Sequence, residues 1–192
     1  ARQPDAGCSC DGEELCTHLP LVLIETQGQA IPGEPILDAN GQEIGFTSTE
    51  EGEEMLLAHL SVLSDDGRNH HPSDNPDLSS EMYIRVRGNS SRYFDMKSYL
   101  LRLANEDGSY RKEEVMGMAS HYEWALYGPY LDKSLIRNYM WYNIAGEVMD
   151  YAPNVRFCEV IVNGTYQGLY VMCETITNGD NCRLDISEPI EG

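Results

Sequence analysis

The stretch Phe157-Cys-Glu-Val-Ile-Val162, Asn163-Gly164, Thr165-Tyr-Gln-Gly-Leu-Tyr-Val-Met172 decides the fold. Two apolar runs flank Asn-Gly, the dipeptide best suited to the two positive φ angles of a type I′ hairpin turn. A two-residue turn sets Val162 opposite Thr165 and Cys158 opposite Leu169. Val160, Val162, Leu169 and Val171 then share one face, while Phe157, Ile161, Tyr166, Tyr170 and Met172 share the other. Both faces are apolar, so this hairpin belongs at the centre of a sheet. The same register leaves Cys158 and Cys173 on one face but four residues apart. At about 3.4 Å per residue they are too distant for a disulfide. Cys182, beyond the turn at Asn178-Gly179, is the nearer partner for Cys173.

Working back along the chain, the apolar run over residues 19–26 ends at Gly28 and reads as a strand. Residues 33–46 carry fainter strands around Asn40-Gly41. Residues 50–63 fit helix or strand, with strand ends the better reading. Residues 64–80 are loop, and His70-His71 within them reads as a solvated pair rather than metal ligands. Met82, Ile84 and Val86 alternate with Tyr83, Arg85 and Arg87; a polar loop at Gly88-Asn-Ser-Ser91 follows, and alternation resumes through Tyr99, Leu101 and Leu103. Glu123-Trp-Ala-Leu-Tyr127 is a further strand. A helix capped by Asp132 comes next, with Leu135, Tyr139, Tyr142 and Gly146 on one stripe and Ile136, Met140, Ile144 and Val148 beside it. So broad a stripe predicts a well-buried helix. The expected class is α+β, a mostly antiparallel sheet with one principal helix.

Charge narrows the function. The 192 residues hold 32 acidic and 13 basic side chains, a formal net charge of −19. Such a surface repels phosphate backbones and anionic lipid, so nucleic-acid and membrane-surface binding are not expected. No apolar run approaches the roughly 18 residues of a membrane span. Calcium loops fail on spacing. With each turn glycine at position six, Ile36, Val62 or Leu103 falls where a carboxylate is needed. Six cysteines suit a disulfide framework outside the cytosol, whereas Cys8-x-Cys10 followed by Cys16 lacks the paired knuckles of structural zinc. The start at Ala1 fits a mature secreted form. Residues 1–18 read as a cysteine-containing leader and 19–192 as the folded domain.

Against this acidity, Arg85, Arg87, Arg92 and Lys97 cluster around Gly88-Asn89-Ser90-Ser91. A short loop with glycine, hydroxyls and backbone N–H groups between cations has the make-up of a phosphate cradle, or else of a polar strand connection. Asn89-Ser90-Ser91 and Asn163-Gly164-Thr165 are also glycosylation sequons.

Arg87-Gly-Asn-Ser-Ser91, Lys97-Ser-Tyr99, Glu123-Trp124, the run Tyr130-x-Asp-Lys-Ser134 with Arg137-Asn138, and Glu159-Val-x-x-Asn-Gly-x-Tyr-x-Gly-x-Tyr170 ending at Glu174 together resemble the spore-coat CotH kinase family. The resemblance spans about residues 19–186. It implies the amino-terminal lobe region of an atypical, protein-kinase-like fold and a secreted or cell-surface protein using ATP and Mg to phosphorylate Ser or Thr of extracellular or coat proteins. It further implies that Arg87, Gly88, Ser90 and Ser91 cover the phosphates, that Lys97 reaches them, and that Glu174 lies near the cleft. Glu147 is a candidate to orient Lys97, though a solvated helix carboxylate is the plainer reading. No catalytic or metal-binding residue is assigned: Arg183-Leu184-Asp185 is followed by neither the Asn nor the Asp-Phe-Gly of kinases, and the family's catalytic aspartates are expected beyond this segment. The alternative is a non-catalytic surface-binding or structural coat or matrix module of the same fold.

Overall fold

This computed structural model describes residues 14–65 and 67–177. Seven strands form a closed barrel: β1 (Leu21–Glu25), β4 (Leu56–Leu63), β5 (Leu78–Arg87), β6 (Ser98–Ala104), β9 (Glu123–Tyr127), β10 (Val155–Val162) and β11 (Thr165–Glu174). Two hairpins complete the β structure, β2 (Pro35–Leu37) with β3 (Glu43–Phe46), and β7 (Glu113–Val115) with β8 (Met118–His121). The one described helix, α1, spans Arg137–Val148.

The kinase-lobe expectation of an α+β sheet is therefore corrected: the fold is mostly β and closed. Closure comes from β1, which pairs antiparallel with β4 on one side and parallel with β10 on the other. The other barrel pairs are antiparallel. Closing the sheet leaves the barrel no unpaired edge. Alternation supplies the interior: Val22 and Ile24, Leu60 and Val62, Met82, Ile84 and Val86, Leu101 and Leu103, Trp124 and Leu126 are buried together. The β7–β8 hairpin adds Val115, Met116 and Met118 to that core.

The central hairpin forms with Val162 opposite Thr165, and Asn163 and Gly164 both have positive φ. One residue later the register shifts. Ile161 pairs with Tyr166 but Val160 pairs with Gly168, so Gln167 is extra and Cys158 faces Tyr170 rather than Leu169. A bulge exchanges the faces of the strand beyond it. Tyr170 and Met172 thus enter the barrel with Cys158 and Val160, whereas Val171 and Cys173 point outward with Val155. Cys158 and Cys173 consequently occupy opposite faces and both are free thiols; the expected pairing of Cys173 involves Cys182, outside the described residues. Burial pushes the Cys173 thiol up to about 12 and moves Cys158 further in the same direction. Cys8, Cys10 and Cys182 lie outside the described residues.

Two further expectations are corrected. Helix α1 contains no buried residue; only Tyr139 and Tyr142 pack onto the outer face, beside Phe157 and Tyr127, while Trp141 is 62% and Val148 78% exposed. Its apolar stripe is broader than the patch of barrel it covers. His70 is buried rather than solvated. Its backbone bridges Thr17, and its ring nitrogens lie 2.9 Å from the Leu19 carbonyl and 3.1 Å from that of Asp65. Among the described residues no three His, Cys, Asp or Glu side chains are placed to hold a metal, and no helix is long and apolar enough to cross a membrane.

Candidate functional site

The β5–β6 connection is a shaped loop rather than a hairpin tip. Gly88 has φ 126°, a backbone conformation that favours glycine, and a Cβ there would also stand 1.9 Å from Ser91 Oγ and force that hydroxyl to turn away. Ser90–Tyr93 then forms a short 3-10 turn. Arg92 folds back over it. Its Nε donates to the Gly88 carbonyl at 2.5 Å and its Nη1 to the Gly33 carbonyl at 2.7 Å, while the guanidinium stacks 4.2 Å above the Phe46 ring. Burial, and then the neighbouring Arg85 charge, hold the Arg92 pKa below its ordinary value. Lys97 closes the loop by donating from Nζ to the Arg92 carbonyl at 2.8 Å.

Two other segments brace this loop. Gly33 runs against β5 so closely that a Cβ would meet the Val86 carbonyl at 2.9 Å, and the Val86 N–H donates to the Pro32 carbonyl at 2.7 Å. Gly128, after β9, leaves only 2.7 Å between a would-be Cβ and the Lys97 carbonyl, and its N–H donates to Ser98 Oγ at 3.0 Å. Phe94 stacks on Tyr130 with ring centroids 5.0 Å apart.

The cations that cluster in sequence divide in space. Lys97, 19% exposed, borders a cleft of about 330 Å³ walled by Ile31, Val86, Tyr99 and Val162, with Glu34 3.6 Å from its ammonium. Arg85 and Arg92 line a separate hollow of about 300 Å³ with Gly33, Phe46 and Glu54. Arg87 is exposed on the outer face, where its charge acts on Tyr142 and Cys173. Ser90 is exposed and Ser91 half-buried.

Glu174 stands apart from this group. Tyr99 pairs with Leu126 and Tyr127 with Val171, which sets Lys97 level with Tyr170, four residues or about 14 Å along the strand from Glu174. The buried Glu174 carboxylate instead accepts from the Asn154 backbone N–H at 2.9 Å and from its Nδ2 at 3.2 Å. Glu147 is exposed on α1. The lysine's carboxylate partner, Glu34, is absent from the sequence-based site; its only signal is the tight segment Pro32-Gly33-Glu34-Pro35, where glycine between prolines marks a close backbone approach.

The family whose model matches this chain is described as CotH kinase protein, and the match covers residues 84–182, slightly more than half of the sequence. It begins inside β5 and takes in the loop, Lys97, α1 and the central hairpin. No curated protein matches the chain.

Proposed function

This chain belongs to the CotH kinase protein family, and from that premise we propose that it binds the phosphates of ATP beside Lys97. In this reading it is the nucleotide-binding part of a secreted or cell-surface kinase acting on Ser or Thr of extracellular or coat proteins. The observation carrying the proposal is the Lys97–Glu34 pair lining a cleft that Ile31, Val86, Tyr99 and Val162 also line, in a chain whose net charge is −19. A lysine held by a carboxylate is how kinases present a cation to nucleotide phosphates. The ammonium has three protons and one fixed acceptor, the Arg92 carbonyl, so it retains donors for a phosphate oxygen.

Gly88, Ser90 and Ser91 supply the adjacent backbone and hydroxyl donors, and Arg87 adds longer-range positive potential. Glu174 supports the end of β11 through Asn154 in this reading and does not meet the nucleotide. Among the described residues no three His, Cys, Asp or Glu side chains converge, and for magnesium, which takes one or two carboxylates together with the nucleotide's phosphates, no ligand is assigned here. We therefore route no metal step through them and assign phosphoryl transfer itself to none of them.

Calorimetric titration with ATP and Mg tests the proposal. Saturable binding is expected, weakened about tenfold or more by Lys97→Ala, the size of one lost charge-assisted hydrogen bond. Absence of binding, or equal binding by the variant, overturns it. One observation favours the alternative of a non-catalytic module: Lys97 and Arg92 already bind backbone carbonyls, those of Arg92 and Gly88 in their own loop and that of Gly33 in the bracing segment. If they serve only the fold, Lys97→Ala lowers the melting temperature and the titration of the native chain stays silent.

A further inference from the structure

On the outer face of β4 and β5, away from the Lys97 cleft, three side chains stand in a row. His59 is directly opposite Glu81 in the strand register, and Ser79 is two residues from Glu81 on the same face. His59 Nδ1 lies 2.8 Å from Glu81 Oε1, and Ser79 Oγ lies 3.0 Å from His59 Nε2. One neutral tautomer satisfies both contacts: Nδ1–H donates to the carboxylate, and the Nε2 lone pair accepts the serine proton. That is the tautomer a serine nucleophile requires of its base.

We propose that Ser79, His59 and Glu81 form a nucleophilic site that accepts an acyl group from a carboxylic ester. Ser79 is the nucleophile, His59 its general base, and Glu81 a positioning residue acting through His59. Ser79 Oγ bonds to the ester carbonyl carbon as its proton passes to His59 Nε2. The bond from carbonyl carbon to alcohol oxygen breaks, and the alcohol leaves with that proton. Water then repeats the exchange, releasing the carboxylic acid and restoring the hydroxyl.

The surroundings select the ester. A cleft of about 580 Å³ is lined by His59 and Glu81, by Met55, Leu57 and Tyr83, and by the carboxylates of Glu25, Glu51 and Glu53, with Ser79 adjoining it through His59 rather than lining it. Apolar side chains among carboxylates suit a short acyl chain on a neutral or cationic alcohol and repel anionic esters. Arg111, whose Nη1 is 3.2 Å from the Ser79 carbonyl and whose guanidinium also pairs with Glu113, is a cation beside the nucleophile. Most backbone N–H groups of β4 and β5 are engaged in the barrel ladders, so no paired oxyanion donors are evident and turnover will be slow.

The full chain is treated with a tagged fluorophosphonate and with p-nitrophenyl acetate. Expected are mass-spectrometric labelling of the Ser79 peptide, suppression of that label by the acetate, and ester hydrolysis above the buffer rate. Ser79→Ala abolishes all three, and His59→Ala slows hydrolysis by about 100-fold. Glu81→Gln lowers kcat with KM unchanged, and Glu81→Asp recovers part of it. Circular dichroism checks that these surface variants remain folded. A folded chain left unlabelled at Ser79, or hydrolysis undiminished in Ser79→Ala, overturns the proposal and leaves a hydrogen-bonded surface ladder only.

Discussion

Asn163 adopts φ 47°, and its amide spans from the central hairpin to the end of β1. Oδ1 accepts the Thr26 N–H at 2.8 Å, Nδ2 donates to Thr26 Oγ1 at 2.8 Å, and the backbone N–H donates to the Ile24 carbonyl at 2.9 Å. Asn163→Ala removes both side-chain bonds and leaves the N–H of the buried Thr26 without that acceptor, at a cost of about 2–3 kcal/mol. Urea denaturation measures this as a lowered midpoint with an unchanged slope. The same amide separates the two sequons. Asn163 Nδ2 is engaged, whereas Asn89 is exposed and its side chain caps no turn. Glycopeptide mapping of chain expressed through a secretory route is expected to find sugar on Asn89 and none on Asn163.

At the scale of elements, Asp132 governs the entry to α1. Its carboxylate accepts from Ser134 Oγ at 2.6 Å, from the Ser134 N–H at 3.0 Å and from the Arg137 N–H at 2.8 Å, reaching the first helical residue from five positions upstream. The Ser134 hydroxyl above all, with the backbone donors, holds its pKa below the ordinary 3.8. A carboxylate depressed on folding contributes stability that is present above its unfolded pKa and is lost as pH falls from there through the lowered value. Asp132→Asn is therefore expected to destabilise the chain at neutral pH and to remove part of its acid sensitivity below about pH 4, read from melting temperatures across a pH series.

The strands were largely legible because their signals are local. Asn163-Gly164 specifies a turn, Met82, Ile84 and Val86 specify a face, and Asp38 and Asp107 accept from the backbones of their own turns as Asx residues do. The bulge at Gln167 was not legible, since nothing in a run of strand-forming residues announces one extra residue; Gly168, at φ 111°, is the only local hint. The β7–β8 hairpin escaped for a related reason: its turn places Met116 at φ 53° before Gly117, a position where Asn or Asp would have signalled. In the candidate site, the order of Gly88 and Lys97 could be read directly. The partition of the four cations and the partner Glu34 depend on the packing of a distant segment.

For the whole molecule, the decisive event is closure. β1 lies parallel to β10, pairing Leu21 with Glu159 and Ile24 with Val162 across more than a hundred residues. No periodicity reveals such a pairing, which is why a mostly antiparallel α+β sheet, with no closure foreseen, is the natural expectation from sequence. The matched family segment, residues 84–182, lacks β1, β4 and most of β5. Expressed alone, it would expose two sheet edges and the apolar interior, and it is expected to show no cooperative thermal transition, whereas the full chain unfolds cooperatively. A sharp transition in the fragment would show that closure is dispensable.

The unequal placement of the two tryptophans gives the protein two separate optical reporters. Trp124 is sealed in the barrel and donates from Nε1 to the His121 carbonyl at 3.0 Å, whereas Trp141 faces solvent on α1. Iodide should quench only the red-edge emission of Trp141 in the native state, leaving the blue-edge emission of Trp124 to disappear when the barrel opens. Fraying of the helix and rupture of the barrel can thus be followed as distinct colours in one cuvette, without adding a label.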